Sequence, residues 1–219
     1  MIINSIIAGA GGSQYFEPAS AYQKCEYIET DGSSAYIQLP IGLSTYYDID
    51  FKIRLDEIKD QFLFGGRAAT SSYRQALILT SSANNYSYQL GTGNTASNYG
   101  IATGLFQTDT DYIMSVSGER TIVNGVTYNW SGTAYSSFAG NAGPTFRLFN
   151  ICTALVADNR YWHGKLYYFT IKDTHNNVVL FDGIPVYNIA TPTYIGLWDR
   201  VRGTFFRGSG TFTKGPDVT

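Results

Sequence analysis

Two pairs of closely spaced acids have the most direct catalytic potential in this sequence. Asp48 and Asp50 are two residues apart, and so are Asp109 and Asp111. Glycoside hydrolysis uses two carboxyl groups that converge across a cleft, about 5–5.5 Å apart in retaining enzymes and about 6.5–9.5 Å apart in inverting ones. Neither pair has a further acid at the matching position of its strand. We therefore interpret both pairs as solvated charges, the first on a strand and the second at a turn that enters a strand.

Other catalytic and cofactor signatures are missing from the sequence. His163 and His175 lack neighbours of metal-ligand type, no G-x-S-x-G sequence supplies a serine nucleophile, and no glycine-rich phosphate loop occurs. Calcium would need a set of oxygen ligands, but no spacing selects one, and we interpret the available acids as turn residues. We therefore expect no cofactor and no enzymatic activity, with calcium binding left open as an alternative that the spacing does not support. The acids available for calcium are Asp31, Asp109, Asp111, Asp158 and Asp199.

Aromatic residues beside amides indicate a different chemistry, the binding of sugars. A ring can stack on one face of a pyranose while nearby amides bond its hydroxyl groups. Trp130 lies beside Asn129 and near Tyr135, and Tyr99 follows Asn98. These five residues are our candidates for a carbohydrate-binding site. A buried aromatic in a hairpin is the alternative for Trp130, and the sequence leaves both open.

Composition limits the class of protein. The chain has 219 residues with 18 Tyr, 13 Phe and 23 Gly, enough for one all-β domain without a disulfide or a metal. A net charge of −2 without a basic cluster argues against nucleic-acid binding. No run approaches the ~20 apolar residues of a membrane span. Cys25 and Cys152 could pair, although two isolated buried thiols fit their apolar surroundings better.

The first residues form an apolar segment that ends in glycines. Ile2, Ile3, Ile6 and Ile7 are interrupted by Asn4, and the segment lacks the positive start of a secretion signal. We predict that residues 1–24 are an anchoring arm and linker, and that these four isoleucines dock on another protein. A disordered tail is the alternative.

From Cys25 onward the pattern is that of β-strands. Residues 47–55 alternate apolar and polar side chains, as a half-buried strand requires, and Tyr167, Phe169 and Ile171 alternate in the same way. Asn124-Gly125 between two apolar runs predicts a tight hairpin, and Asn176-Asn177 predicts another. Further turns are predicted at Asp31-Gly32 and Asp182-Gly183. Residues 91–110 and 131–144 are predicted to be long surface loops.

Several motifs together resemble a known family. G-K-L-Y-Y-F-T-I-K-D at residues 164–173, I-G-L-W-D at 195–199 and G-S-G-T-F-T-K-G-P at 208–216 resemble the concanavalin A-like, or laminin G-like, jelly-roll domains of bacteriophage fibre, tail and head-decoration proteins. E-Y-I-E-T-D-G at 26–32 and L-F-G-G-R at 63–67 are similar to earlier motifs of the same family.

The resemblance implies a fold and a setting. It implies an all-β jelly-roll sandwich over residues 25–219, with Trp162 and Trp198 in its core and Gly208-Ser209-Gly210 as terminal scaffold. It also implies a virion structural protein, a head or tail fibre or decoration subunit assembled in the host cytoplasm. The arm would bind other virion proteins, and the sandwich would face host-surface glycans or neighbouring subunits. By analogy such subunits are homo-oligomers, and we expect a trimer. A glycan depolymerase and a purely structural protein without a sugar site are the alternatives.

Overall fold

The computed structural model describes residues 15–67, 74–80, 85–91, 97–100, 104–129, 142–153 and 159–219. Its regular elements in these ranges are all strands, and we find there no helix with the length and apolar character that a membrane span needs. In chain order the strands are β1 (Tyr22–Lys24), β2 (Ile28–Asp31), β3 (Ile37–Leu43), β4 (Tyr47–Leu55), β5 (Gln61–Arg67), β6 (Arg74–Thr80), β7 (Asn85–Gly91), β8 (Ser97–Gly100), β9 (Asp111–Val116), β10 (Arg120–Val123), β11 (Val126–Asn129), β12 (Ala142–Leu148), β13 (Cys152–Thr153), β14 (His163–Asp173), β15 (Val178–Asn188), β16 (Ile195–Asp199), β17 (Thr204–Arg207) and β18 (Phe212–Lys214).

The strands form two sheets. In the described ranges the larger sheet has eleven strands, with the path β11-β10-β9-β4-β14-β15-β16-β17. Three more strands extend it, β1 beside β15, β2 beside β14 and β18 beside β2. The smaller sheet has seven described strands, with the path β3-β12-β5-β6-β7-β8 and with β13 parallel to β5. The pairing along both paths is antiparallel, which is typical of a sandwich.

Aromatic rings join the two sheets. Phe51 of β4 and Phe169 of β14, both in the larger sheet, contact Phe64 of the smaller sheet at ring-centroid distances of 5.8 and 5.4 Å. Edge-to-face contacts at such distances are favourable beyond the area they bury. The bounds of β4 and its alternating burial are those that the sequence predicts. The predicted all-β sandwich is therefore confirmed.

The predicted turns have different outcomes. Asn124 and Gly125 have φ angles of 48° and 81°, as a tight hairpin turn requires, and Asn177 in the next predicted hairpin has a φ of 52°. Both hairpins are confirmed, as β10–β11 and β14–β15. The turn predicted at Asp182-Gly183 is wrong, because both residues lie inside β15. Gly183 is needed there for packing, since a Cβ atom at this position would lie 2.4 Å from the Phe181 ring.

The prediction that Tyr167 shares a face with Phe169 is also wrong. Leu166 of β14 pairs with Ile53, but Tyr168 pairs with Lys52, so Tyr167 is an extra residue in the ladder. Such a β-bulge shifts the alternation by one residue. Leu166 and Phe169 consequently point into the core, whereas Tyr167 lies half-buried on the outer face.

The two predicted surface loops contain more structure than expected. Within residues 91–110, Ser97–Gly100 forms β8 on the edge of the smaller sheet, and Phe106 is fully buried. Residues 131–144 lie mostly outside the described ranges, and β12 begins at Ala142.

The predicted core tryptophans and one predicted thiol are buried. Trp162 and Trp198 are 0% and 6% exposed, which confirms their packing role. Cys25 is buried and free, and burial raises the pKa of its thiol to about 12. The Cys152 side chain is outside the described part of the chain.

Residues 15–24, part of the predicted arm and linker, lie against the larger sheet. The Phe16 N–H donates to the Arg200 carbonyl at 2.7 Å, and the indole N–H of Trp198 donates to the Phe16 carbonyl at 2.8 Å. The Tyr22 ring packs on Trp198 and Phe205 at centroid distances of 5.4 and 4.8 Å. The segment therefore covers aromatic residues on the outer face of β16 and β17.

Candidate functional site

An open cavity of about 380 Å³ lies next to the β16–β17 hairpin. It is positioned by the end of β17, the segment that follows it, and the turn that precedes β16. We call it the Arg207 cavity, and its lining residues are Thr193, Arg207, Gly208, Ser209, Gly210 and Phe212. Its wall is therefore made of hydroxyl groups, glycine backbone, one guanidinium and one ring.

Hydrogen bonds and close packing fix the glycine-rich wall. The Gly208 N–H donates to the Ile195 carbonyl at 2.8 Å, and Ser209 and Tyr36 exchange backbone bonds at 2.9 and 2.8 Å. Gly210 has a φ of +87°, and a Cβ atom there would lie 2.7 Å from the Ser34 carbonyl oxygen. Only glycine combines this backbone angle with this close approach. The backbone of the wall is thus held in place and free of bulky side chains.

A tyrosine and an arginine stand together at the cavity. Tyr194 follows the lining residue Thr193 and is 38% exposed. Its backbone is tied on both sides, since its N–H donates to Thr191 and its carbonyl accepts from Asn188. The Arg207 guanidinium lies over the Tyr194 ring at 3.5 Å from the centroid, a favourable cation–π geometry. The ring therefore positions the guanidinium at the cavity.

A second, smaller cavity of about 130 Å³ lies on the outer face of β2, β14 and β18. His163 in its wall contacts Glu57, with 3.1 Å between Nδ1 and Oε2. Burial raises the pKa of Glu29, and the negative charge of Asp56 adds to this. The wall residues are Glu29, Thr30, Asp31, His163, Thr211 and Thr213.

Three of the four paired acids, Asp48, Asp50 and Asp111, lie on the outer face of the larger sheet, and Asp109 lies in the turn before β9. Asp111 at the start of β9 pairs with Lys52 Nζ at 2.8 Å and with Arg54 Nε at 2.6 Å. Asp48 and Asp50 of β4 are half-buried, and burial raises the pKa of Asp48, with the nearby Asp50 charge adding to it. Asp111 therefore takes part in ion pairs, and Asp48 and Asp50 lie on the face of a strand rather than in a cleft.

Asp31 and Asp199, two of the acids considered for calcium, have other partners. Asp31 accepts hydrogen bonds from Ser33, and buried Asp199 pairs with Arg202 at 2.7 Å. Asp109 has a φ of 58° in a turn, and Asp158 lies outside the described ranges. Over the described ranges no three His, Cys, Asp or Glu residues are grouped so that they could hold a metal ion.

The residues predicted to bind sugar are described only in part. Asn98 and Tyr99 lie in β8 opposite Gln89 and Tyr88, and only their backbone is described. Asn129 is exposed at the end of β11, opposite Arg120. Trp130 and Tyr135 lie outside the described residues, as do the predicted anchoring residues Ile2, Ile3, Ile6 and Ile7.

Sequence reasoning missed the Arg207 cavity. It interpreted Gly208-Ser209-Gly210 as scaffold and did not consider Tyr194, which follows a Thr-Pro-Thr turn. A tyrosine outside any alternating strand pattern, next to turn residues, was the available signal. The partner Arg207 could not be found in this way, because it comes to lie beside Tyr194 only when the β16–β17 hairpin has formed.

Comparison by sequence finds no relative, since no protein-family model and no curated protein sequence matches the chain. Comparison by structure finds similar folds. A proposed carbohydrate-binding protein of Bacteroides ovatus matches with a TM-score of 0.53 and 13% identity, over 90% of this chain and 62% of that one. Domains LG4-5 of the mouse laminin α1 chain match with a TM-score of 0.52 and 10% identity, over 72% of this chain and 43% of that one.

A heptameric SAP-like pentraxin of Limulus polyphemus matches with a TM-score of 0.50 and 14% identity, over 70% of this chain and 80% of that one. The chain thus spans 62% of the Bacteroides protein and 43% of the laminin fragment. At these identities the likeness concerns the fold, and it agrees with the predicted concanavalin A-like, laminin G-like jelly roll.

Proposed function

We propose that this protein binds glycans without chemically changing them, and that the Arg207 cavity is the binding site. The observation that carries the proposal is the combination of a 380 Å³ cavity with a wall of hydroxyls, glycine backbone and a positioned guanidinium. Its volume lies in the range of small-molecule sites, about 300–1,000 Å³. The jelly-roll fold and the Bacteroides protein, described as a proposed carbohydrate-binding protein, support the same interpretation.

The composition of the wall suits a sugar better than an apolar ligand. Thr193 and Ser209 offer hydroxyl groups that both donate and accept hydrogen bonds, and Arg207 offers N–H donors. Phe212 supplies apolar surface for the C–H groups of a sugar ring, and Tyr194 beside the wall positions the Arg207 guanidinium. Because the glycine wall is held by backbone bonds, little order would have to be gained on binding.

Absence of catalysis is part of the proposal. The Arg207 cavity is lined by no acid, so it lacks the two carboxyl groups on which glycoside hydrolysis depends.

A glycan array followed by titration calorimetry tests the binding. We expect the wild type to bind at least one class of oligosaccharide, and Tyr194→Ala to weaken that binding by about tenfold, roughly 1.4 kcal/mol. Tyr15→Ala is the matched control, because Tyr15 is similarly exposed (46%) and also contacts an arginine, Arg200, which lies at the opposite end of the β16–β17 hairpin from Arg207. Binding of no glycan, or equal losses in the two variants, would refute the proposal.

The wider setting that we propose is a virion. The resemblance of the strand motifs to phage fibre, tail and decoration proteins supports a virion structural subunit whose sandwich faces outward. In this proposal residues 1–24 attach the subunit to other virion proteins through Ile2, Ile3, Ile6 and Ile7, and the subunit is a homotrimer.

Deletion of residues 1–12 tests the virion role. We expect the truncated protein to fold, judged by an unchanged thermal unfolding midpoint, and to be lost from purified particles that contain the full-length protein. Truncated protein that still co-purifies with particles would contradict the anchoring role.

A further inference from the structure

The Arg207 side chain differs from the other arginines near it. Arg200 pairs with Asp182 at 2.7 Å and Arg202 pairs with Asp199 at 2.7 Å, so both charges are neutralised. In the described part of the chain Arg207 forms no ion pair, and its contact is with the neutral Tyr194 ring. The guanidinium is therefore charged, oriented and available at the cavity.

No other charge competes with Arg207 inside the cavity. The remaining wall residues are threonine, serine, two glycines and phenylalanine, all of them neutral. A neutral sugar would leave this positive charge unpaired. A planar guanidinium instead matches a carboxylate or a sulfate with two parallel hydrogen bonds, which are stronger than bonds between neutral groups.

The packing of Arg207 against Tyr194 is compatible with such a bond. The guanidinium carbon lies 3.5 Å from the centroid of the Tyr194 ring, and a cation–π contact of this kind does not use the acceptor that a guanidinium N–H group needs. The tyrosine also restricts the rotamers of a long side chain before the ligand arrives, which lowers the entropy lost on binding.

We infer that the Arg207 cavity selects acidic glycans, and that Arg207 binds their anionic group. This inference rests on the proposed glycan binding and specifies its ligand class. The anion is either the carboxylate of an acidic sugar or a sulfate ester, since both offer oxygens in the geometry that the guanidinium matches.

Matched pairs of glycans test the inference. An array should carry acidic glycans beside neutral forms of the same backbone, such as tetragalacturonate with its methyl ester and a sulfated dextran oligosaccharide with plain dextran. Sialylated and glucuronate-containing glycans should be included with their carboxyl-reduced forms. We expect acidic members to bind at least about tenfold more tightly than their neutral counterparts. The pair with the larger difference identifies the carboxylate or the sulfate as the source of the anion.

Substitutions of Arg207 then test whether this residue causes the preference for acidic glycans. Arg207→Gln should abolish the preference for acidic members while keeping the thermal unfolding midpoint, and Arg207→Lys should keep only part of it, because lysine lacks the planar pair of donors. Arg120→Gln is the control with the same change in net charge, at an exposed position on β10. Raising the salt concentration should weaken the binding of the acidic members.

The outcomes separate this inference from the proposed function. If no glycan binds, both fail. If glycans bind and Tyr194→Ala weakens them, but neutral and acidic forms bind equally or Arg207→Gln behaves like Arg120→Gln, then the proposed function holds and the inference is overturned.

Discussion

Asp111 connects three neighbouring strands at the surface of the larger sheet. Its carboxylate receives Lys52 and Arg54 from β4 and the Tyr167 hydroxyl from β14, the last at 3.2 Å. Burial alone would raise the pKa of Asp111, but the hydrogen bonds from Arg54 and Lys52 outweigh it and lower the pKa to about 2. The pKa of Tyr167 is raised to about 12, first by burial and then by the Asp111 charge. The β-bulge that turns Tyr167 outward thus completes this network.

Substitution of Asp111 tests the strength of the network. Because its pKa is lower in the folded than in the unfolded state, the ionised carboxylate stabilises the fold above the unfolded value of about 3.9, and this contribution is lost as the pH falls towards 2. We expect Asp111→Asn to lower the free energy of unfolding by about 1 kcal/mol near neutral pH, since the pair is partly exposed. The difference from the wild type should shrink as the pH is lowered from about 4 to about 2.

Chemical denaturation across this pH range is the measurement. The neighbouring Asp109→Asn is a suitable control, because asparagine tolerates the positive φ at that position. A deficit of Asp111→Asn that stays constant with pH would show that the carboxylate charge is not its cause.

The N-terminal segment acts as an element of the sandwich. β1 pairs with β15 through Tyr22, Gln23 and Lys24, and the C-terminus lies beside it, since the Val218 N–H donates to the Lys24 carbonyl at 3.0 Å. Phe16 and Tyr22 cover Trp198 and Phe205 on the outer face. The segment therefore contacts the sheet well before residue 25, where the sandwich is predicted to begin.

Two truncations separate the segment from the residues before it. Removal of residues 1–24 exposes aromatic surface and deletes the β1 ladder, and we expect it to lower the free energy of unfolding by roughly 3 kcal/mol. Removal of residues 1–14 leaves these contacts in place and should have little effect. Urea denaturation of both proteins gives the comparison, and equal stabilities would contradict a structural role for residues 15–24.

Strands and turns could be predicted from the sequence where their signal is local, that is, where it lies in the residues of the strand or turn itself. β4 and the Asn124-Gly125 hairpin were predictable because alternation and positive-φ residues are local features. The bulge at Tyr167 was not, because it is defined by the register against β4. Asp182-Gly183 resembles a turn, but its glycine is explained by the Phe181 ring. β8 is short, polar and ends in glycine, so it lacks an apolar pattern.

The candidate site was less predictable than the fold. Thr193 and Tyr194 precede β16, whereas Arg207 and the glycines follow β17. Because the glycine motif is part of the family resemblance, it was interpreted as scaffold. The cavity wall that it forms could not be predicted from that resemblance. The sugar-binding residues were predicted from pairs that are adjacent in sequence, such as Asn98 and Tyr99. Pairs that meet only across a hairpin cannot be found in this way.

At the scale of the whole molecule, the sandwich is a rigid support for a shallow polar cavity. Its core is filled by large rings from both sheets, and the cavity wall is tied to that core through Phe212, which contacts Phe149 at 5.4 Å. A binding surface on such a support needs little rearrangement to meet a partner. In the proposed homo-oligomer, repeated copies of this cavity would raise the overall affinity for a multivalent glycan surface.

Chemical-shift mapping of the isotope-labelled protein, with the tightest-binding oligosaccharide from the array, tests the central claim most directly. If the Arg207 cavity is the glycan site, the shifted backbone amides should cluster at residues 193–196 and 207–212, with little change at Glu29 and His163 in the smaller cavity. Shifts concentrated around residues 98–99 and 129–135, with none near Arg207, would place the glycan elsewhere and contradict the account.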